Sequence, residues 1–426
     1  MVRIVNLEAA QLDILKRQGW EDDSSDEIAQ SVRTVLANVR TGGDDALLAY
    51  TEKFDGTKLD AVSMRVRPEQ IDAAIQQVDP DVMQALIVAA NRVRAFHERQ
   101  PTGSWFHAEG GLLGQKICPI GRVACYVPGG TAALASTLIM TALVAKAAGV
   151  PEVCIASPPQ RSTGMIAPVI LAAASICGID EVWCMGGAQA IAALAYGTAT
   201  IKAVDKICGP GNAYVMHAKR LVYGRVGIDA LPGPTETAIV ADEDARPDWL
   251  AADLLAQAEH NGGTSILFTP SRKLAERVAR EIELQTMKLA SSTEIRESFA
   301  KRSAIVITHD IAEAVASADQ FAPEHLCLSV RDPWAWIGSI NRAGGVFMGE
   351  FSCEVLGDYV AGPSHTMPTG GTARFASPCN VWDFVRVQSV IALDENTSRQ
   401  LAPAAHVLAN AEGLPAHAAA AKLRMM

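Results

Sequence analysis

Residues 122–197 contain the runs RVACYV (122–127), ALASTLIMTALVAKAAG (133–149), EVCIAS (152–157), APVILAAASICG (167–178), EVWCM (181–185) and AQAIAALAYG (188–197). Short apolar runs alternate with longer alanine-rich ones. The short runs recur about every 30 residues, the spacing of the βαβ unit, in which a parallel strand needs a crossover helix before the next can pair with it. A second set follows in TAIVAD (237–242), DWLAADLLAQAEH (248–260), TSILFT (264–269), RKLAERVAREIELQ (272–285), SAIVITHD (303–310), IAEAVASA (311–318) and HLCLSV (325–330). Two α/β units in tandem, each with a parallel sheet, are expected.

Upstream, Ser24-Ser25 precedes the helical run DEIAQSVRTVLANVR (26–40), and Thr41-Gly42-Gly43-Asp44-Asp45 separates it from ALLAYTEKF (46–54). Further helical runs lie at 69–77 and 81–100. The expected organisation is a helical N-terminal segment over 1–120 that leads into the first unit over 121–235. A second unit then spans 236–369, and a C-terminal segment spans 370–426.

A chain of 426 residues exceeds what one hydrophobic core normally supports, so more than one domain is expected. The formal charge of −10 argues against a broad basic surface for nucleic acid or anionic lipid, which leaves a small-molecule substrate as the expected partner. The apolar runs are too short to span a bilayer and the N-terminus lacks a signal-peptide core, so no membrane role and a cytoplasmic location are expected. Nine scattered cysteines without a Cys-x-x-Cys pair read as reduced thiols.

No Gly-x-Gly-x-x-Gly stands between a strand and a helix, so the usual dinucleotide fingerprint is missing. In its place stand Val127-Pro128-Gly129-Gly130-Thr131 and Gly209-Pro210-Gly211-Asn212, which suit either close approach of backbone to a ligand or plain tight turns. Gln257 and His260, three apart at the end of a helical run, can share one ion; equally, His260 can serve the helix dipole. Glu324-His325, after Pro323 and before HLCLSV, puts an acid and a base together for proton transfer, or forms an exposed charged turn. The Gly357-Asp358 stretch through His365 is a Gly/Pro-framed segment that holds a carboxylate and an imidazole, where the Asp can also be a turn residue.

Seven segments occur in order: GRVACYVPGGTA (121–132), ICGPGNAYV (207–215), GIDALPGPTE (227–236), AADLLAQAEH (251–260), FAPEHL (321–326), GDYVAGPSHTMPTGGTARF (357–375) and EGLPAHA (412–418). Together they resemble the histidinol dehydrogenase family from about Gly121 to Ala418. The resemblance implies two incomplete Rossmann-like domains, a homodimer with shared active sites and a tail exchanged between subunits. It implies one zinc ion (Zn2+) per subunit, held by Gln257, His260, Asp358 and His417, the last from the partner's tail. It assigns general acid/base work to His325 and water activation to Glu324, with NAD touching Tyr126, Gln189 and Asn212. Glu412 is expected to hold the substrate amine, while Thr235, Glu354 and His365 line the substrate. Two positions depart from the pattern: Thr235 stands where serine is usual, and Cys327 where glutamate is common. Thr235 keeps the hydroxyl, and the same threonine occurs in paralogs that oxidise other alcohols, such as sulfopropanediol.

Overall fold

The computed structural model describes residues 2–12, 14–15, 24–129, 133–260 and 262–426. Gly130 and Thr131 of the first glycine turn lie outside them, as do the side chains of Ser24 and Ser25. Strand β1 (Arg3–Asn6) opens the chain, and β2 (Trp105–His107) and β3 (Gly111–Pro119) precede the first α/β unit. That unit holds β4 (Arg122–Tyr126), β5 (Glu152–Ser157), β6 (Val182–Cys184), β7 (Lys206–Cys208) and β8 (Gly227–Ile228). The second holds β9 (Glu236–Ala241), β10 (Thr264–Thr269), β11 (Ala304–Ile307), β12 (His325–Ser329) and β13 (Gly345–Met348), and β14 (Val385–Leu393) lies in the tail.

The fold is mixed α/β with parallel sheets. The first sheet runs β6-β5-β4-β7-β8 and the second β1-β11-β10-β9-β12-β13, every pairing in both being parallel. All residues of β4 and β9 are buried, as expected for strands covered by helices on both faces. The helix Ala135–Ala147 is enclosed in the same way, with Thr137 through Ala145 all buried. This is why its sequence is apolar all round rather than amphipathic.

The N-terminal 120 residues are not purely helical. Strand β1 pairs with β11 at the edge of the second unit's sheet, and β3 pairs antiparallel with both β2 and β14. Each of these strands takes its partner from a distant part of the chain, and their burial shows no clean alternation, so no local period marks them. The expected break at 41–45 is present as a kink: two helices within Ser24–Asp55 meet at Gly43, whose non-helical φ of 55° glycine adopts without strain.

Where β7 ends, the chain is pinned by a buried ion pair. Lys219, fully buried on the helix Ala213–Val222, pairs with Asp229 and donates to Gly209 O at 2.8 Å, while Asp229 Oδ2 accepts from Gly209 N at 2.6 Å. Gly209 has φ +108°, and a Cβ there would lie 2.1 Å from Tyr126 O. Removing one partner leaves an uncompensated charge inside the protein, so Lys219→Met is expected to cost about 3–5 kcal/mol. Denaturant unfolding checks this; a loss under about 1 kcal/mol would mean that the pair does not hold the turn.

Candidate active site

His325 is the first residue of β12, flanked in register by Thr237 of β9 and Gly345 of β13. The centre therefore forms at the N-terminal end of the second sheet. Gln257, in the last turn of the helix Pro247–Ala258, is buried with its Nε2 3.2 Å from His325 Nδ1; that amide also donates to Thr235 Oγ1 at 2.8 Å and Thr237 Oγ1 at 2.9 Å. Glu324 Oε2 accepts from Thr235 Oγ1 at 2.5 Å and from Glu236 N at 3.2 Å. The hydroxyl at Thr235 thus orients the neighbouring acid.

Two further carboxylates come from the helix Glu354–Tyr359. Glu354 accepts from Thr237 Oγ1 and lies 3.7 Å from His325 Nδ1; Asp358 Oδ1 lies 3.5 Å from His325 Nε2. Asp358 is thus helical, not the loop residue that Gly357-Asp358 suggests. His365 Nδ1 donates to Asp358 O at 2.7 Å, and its Nε2 faces Thr137 Oγ1 at 3.4 Å. Ser364 Oγ donates to Met140 O at 2.8 Å, so the segment after Asp358 docks on the first unit's helix Ala135–Ala147.

The electrostatics follow from burial. Burial pushes Glu324 and Glu354 each up to about 7, against the pull of the His325 imidazolium. Burial also disfavours a charged His325, yet Glu354, Glu324 and Asp358 outweigh it and raise that imidazole to about 10. Burial pushes His365 down, which keeps its ring neutral. His325, Glu354 and Asp358 offer ligand atoms within 4.8 Å of one another, and His325 Nε2 is buried without a hydrogen bond. Three acids around one imidazole leave a negative excess, and the amide of Gln257 lies at the edge of that group. This donor set suits a divalent cation with oxygen and nitrogen ligands.

Three of the residues singled out for metal or substrate sit apart from this group. His260 is exposed, just past the end of the helix that carries the buried Gln257. Glu412 and His417 are exposed on the terminal helical hairpin Glu395–Ala411 and Pro415–Lys422. Among the described residues no side-chain hydrogen bond or ion pair joins these three to the His325 group, while the His260 backbone N donates to Gln257 O at 3.3 Å. Cys327 is buried in β12, where burial raises its thiol far above the usual range, so it is a small apolar core residue. All nine cysteines are free.

Tyr126, Gln189 and Asn212 lie at the opposite kind of edge, the C-terminal end of the first sheet. Tyr126 ends β4 and its hydroxyl accepts from Gly187 N at 3.1 Å; Gln189 is buried in the first turn of the helix Gly187–Tyr196; Asn212 caps the helix Ala213–Val222 through Val215 N. Sequence reasoning missed Thr237, which holds both Gln257 and Glu354, and Asp55, whose Oδ2 accepts from Gln189 Nε2 at 3.2 Å. Neither carries a local signal: one is an ordinary strand threonine and the other an acid at a helix end.

A family model for histidinol dehydrogenase matches residues 19–425. Relatives named histidinol dehydrogenase include one from Deinococcus radiodurans, 51% identical over 399 residues (93% of this chain and 90% of the relative). Another, from Moorella thermoacetica, is 47% identical over 400 residues (93% and 94%). A crystal structure of histidinol dehydrogenase from Elizabethkingia anophelis superposes with a TM-score of 0.92 at 33% identity, over 100% of this chain and 98% of that one. Fold, site and relatives define an NAD-dependent oxidoreductase. The chain belongs to the histidinol dehydrogenase family. Sulfopropanediol, the alternative substrate that Thr235 raised, finds no support in these relatives.

Proposed function

We propose that the chain oxidises L-histidinol through histidinal to L-histidine, the last step of histidine biosynthesis, reducing two NAD per alcohol. The observation that carries this is the buried Glu324–His325 pair, with Glu324 fixed by Thr235 and set near neutrality. In the first half His325, which a bound cation offsetting the surrounding acids would leave neutral, takes the hydroxyl proton as the carbinol C–H leaves as hydride for NAD. In the second, Glu324 takes a proton from water as its oxygen bonds to the aldehyde carbon, and the hydrate gives its C–H as hydride to a second NAD. Alcohol, water and two NAD+ become acid and two NADH, with the released protons passing to solvent.

Gln257, His260, Asp358 and the partner's His417 hold one zinc ion per subunit in this reading. Bound there, zinc anchors the substrate's nitrogen atoms and offsets the acidic excess around His325. Glu412 takes the substrate amine, and Thr235, Glu354 and His365 shape the pocket. Tyr126, Gln189 and Asn212 contact NAD in the first of two incomplete Rossmann-like domains, bounded at 121–235 and 236–369. The segment 370–426 reaches into the partner of a homodimer. Large apolar residues exposed on the terminal hairpin and the small sheet, among them Leu401, Val407, Leu408, Val387 and Ile391, support a covering partner. No helix of the described residues is long and apolar enough to cross a membrane, and we place the enzyme in the cytoplasm.

The test is a turnover count. Purified protein given limiting L-histidinol is expected to form two NADH per alcohol, and a chelator is expected to abolish this while leaving NAD binding intact, because the two sets of residues belong to different sheets. One NADH per alcohol would remove the second half-reaction. Loss of NAD binding together with zinc, in protein still folded by circular dichroism, would argue against separate sites.

A further inference from the structure

Asp55 ends the helix Ser24–Asp55 and lies against the N-terminus of the helix Gly187–Tyr196. Its carboxylate accepts from Gln189 Nε2 at 3.2 Å, close to Gly186, the helix's N-cap residue, which has no side chain of its own to cap with. Tyr126 reaches the same turn through Gly187. An anion already stationed at this helix end disfavours a ligand phosphate there. The group it complements is a donor such as a hydroxyl.

The strand order says which part of a dinucleotide arrives. Sequence order reverses at β4, which has β5 on one side and β7 on the other, and cofactors lie outside the carboxyl ends of strands at such a switch point. The reacting end is fixed by the catalytic segment, whose Ser364 and His365 dock on Met140 and Thr137 of the helix following β4. Asp55 sits by the turn after β6, two strands away, roughly 10 Å at the usual strand spacing. The far end of the cofactor, its adenosine ribose, falls on that side.

We propose that Asp55 is the residue that selects the dinucleotide: its carboxylate takes the hydroxyls of the adenosine ribose and repels a 2′-phosphate. This rests on the reading that Tyr126, Gln189 and Asn212 line the cofactor site. Arg161, whose guanidinium donates to Phe54 O at 3.4 Å and acts electrostatically on Asp55, is the cation left to receive a 2′-phosphate once the carboxylate is gone. Asp55 is a specificity residue that meets the cofactor, and it plays no part in proton transfer.

The experiment measures dissociation constants for NAD, NADP and 2′-deoxy-NAD on the zinc-loaded parent, on Asp55→Asn and on Asn212→Ala. The parent is expected to prefer NAD to NADP and to bind 2′-deoxy-NAD about tenfold more weakly than NAD, the worth of one hydrogen bond to a charged group. Asp55→Asn is expected to weaken NAD several-fold, to strengthen NADP, and to narrow the gap between NAD and 2′-deoxy-NAD, since a neutral amide accepts a hydroxyl more weakly than a carboxylate. Equal losses for NAD and NADP, with discrimination intact, would overturn the proposal and leave Asp55 as a support for Gln189. Equal binding of NAD and 2′-deoxy-NAD by the parent overturns it without any variant, should Asp55→Asn fail to fold. If Asn212→Ala leaves NAD binding at the parent value, the cofactor site lies elsewhere and the proposal falls with that reading rather than on Asp55 itself.

Discussion

Mixing two dead proteins, His325→Ala and His417→Ala, by joint refolding restores activity to about a quarter of all centres. Random pairing makes half of the dimers mixed, and in each of those one centre carries both lesions while the other carries none. The expectation comes from the separation seen within one chain. His325 is buried at the start of β12, whereas His417 is exposed on a terminal helix that packs on its neighbour, with His406 Nδ1 donating to Ala418 O at 2.8 Å. Each single variant alone is expected to show no turnover, so the signal rises from nothing. If His417 served its own chain, every centre in the mixture would carry one lesion. The mixture would stay inactive, and the exchanged tail would have to be abandoned.

Glu324→Gln slows oxidation of histidinal by a hundredfold or more, roughly the lower bound of what a positioned base contributes, while the alcohol half-reaction is much less affected. Only the second half needs water as a nucleophile. An amide keeps the size of the side chain and still accepts from Thr235 and Glu236, so the pocket's shape is retained while its base is lost. The two halves separate when histidinal is supplied directly and NADH is followed in a single turnover, beside the first hydride transfer from histidinol. Oxidation of histidinal by the variant at the parent rate would take this role from Glu324.

Much of this was legible in the residues. The runs at 122–197 and 237–330 announced parallel sheets because strands buried on both faces must be apolar throughout and must be joined by helices. The adjacency of Glu324 and His325 was equally plain, and it became a buried pair because His325 is the first residue of a central strand. The helical reading of 1–120 failed at β1 and β3, whose partners come from β11 and β14; no local pattern can report a ladder closed hundreds of residues away.

The chain's own pattern determined the class of fold, the two α/β units and the acid–imidazole pair, since these rest on periodicity and adjacency that are local. Tertiary structure decided which groups meet them. Thr235 orienting Glu324, Thr237 bridging Gln257 and Glu354, Asp358 facing His325 Nε2, and Asp55 holding Gln189 are all contacts between elements far apart in sequence. It also decided that the Glu324–His325 group sits at the N-terminal end of one sheet and the turns by Tyr126, Gln189 and Asn212 at the C-terminal end of the other. Strand direction and docking set that arrangement, because a side chain's neighbours in a packed interior depend on how sheets and helices are laid together and not on spacing along the chain.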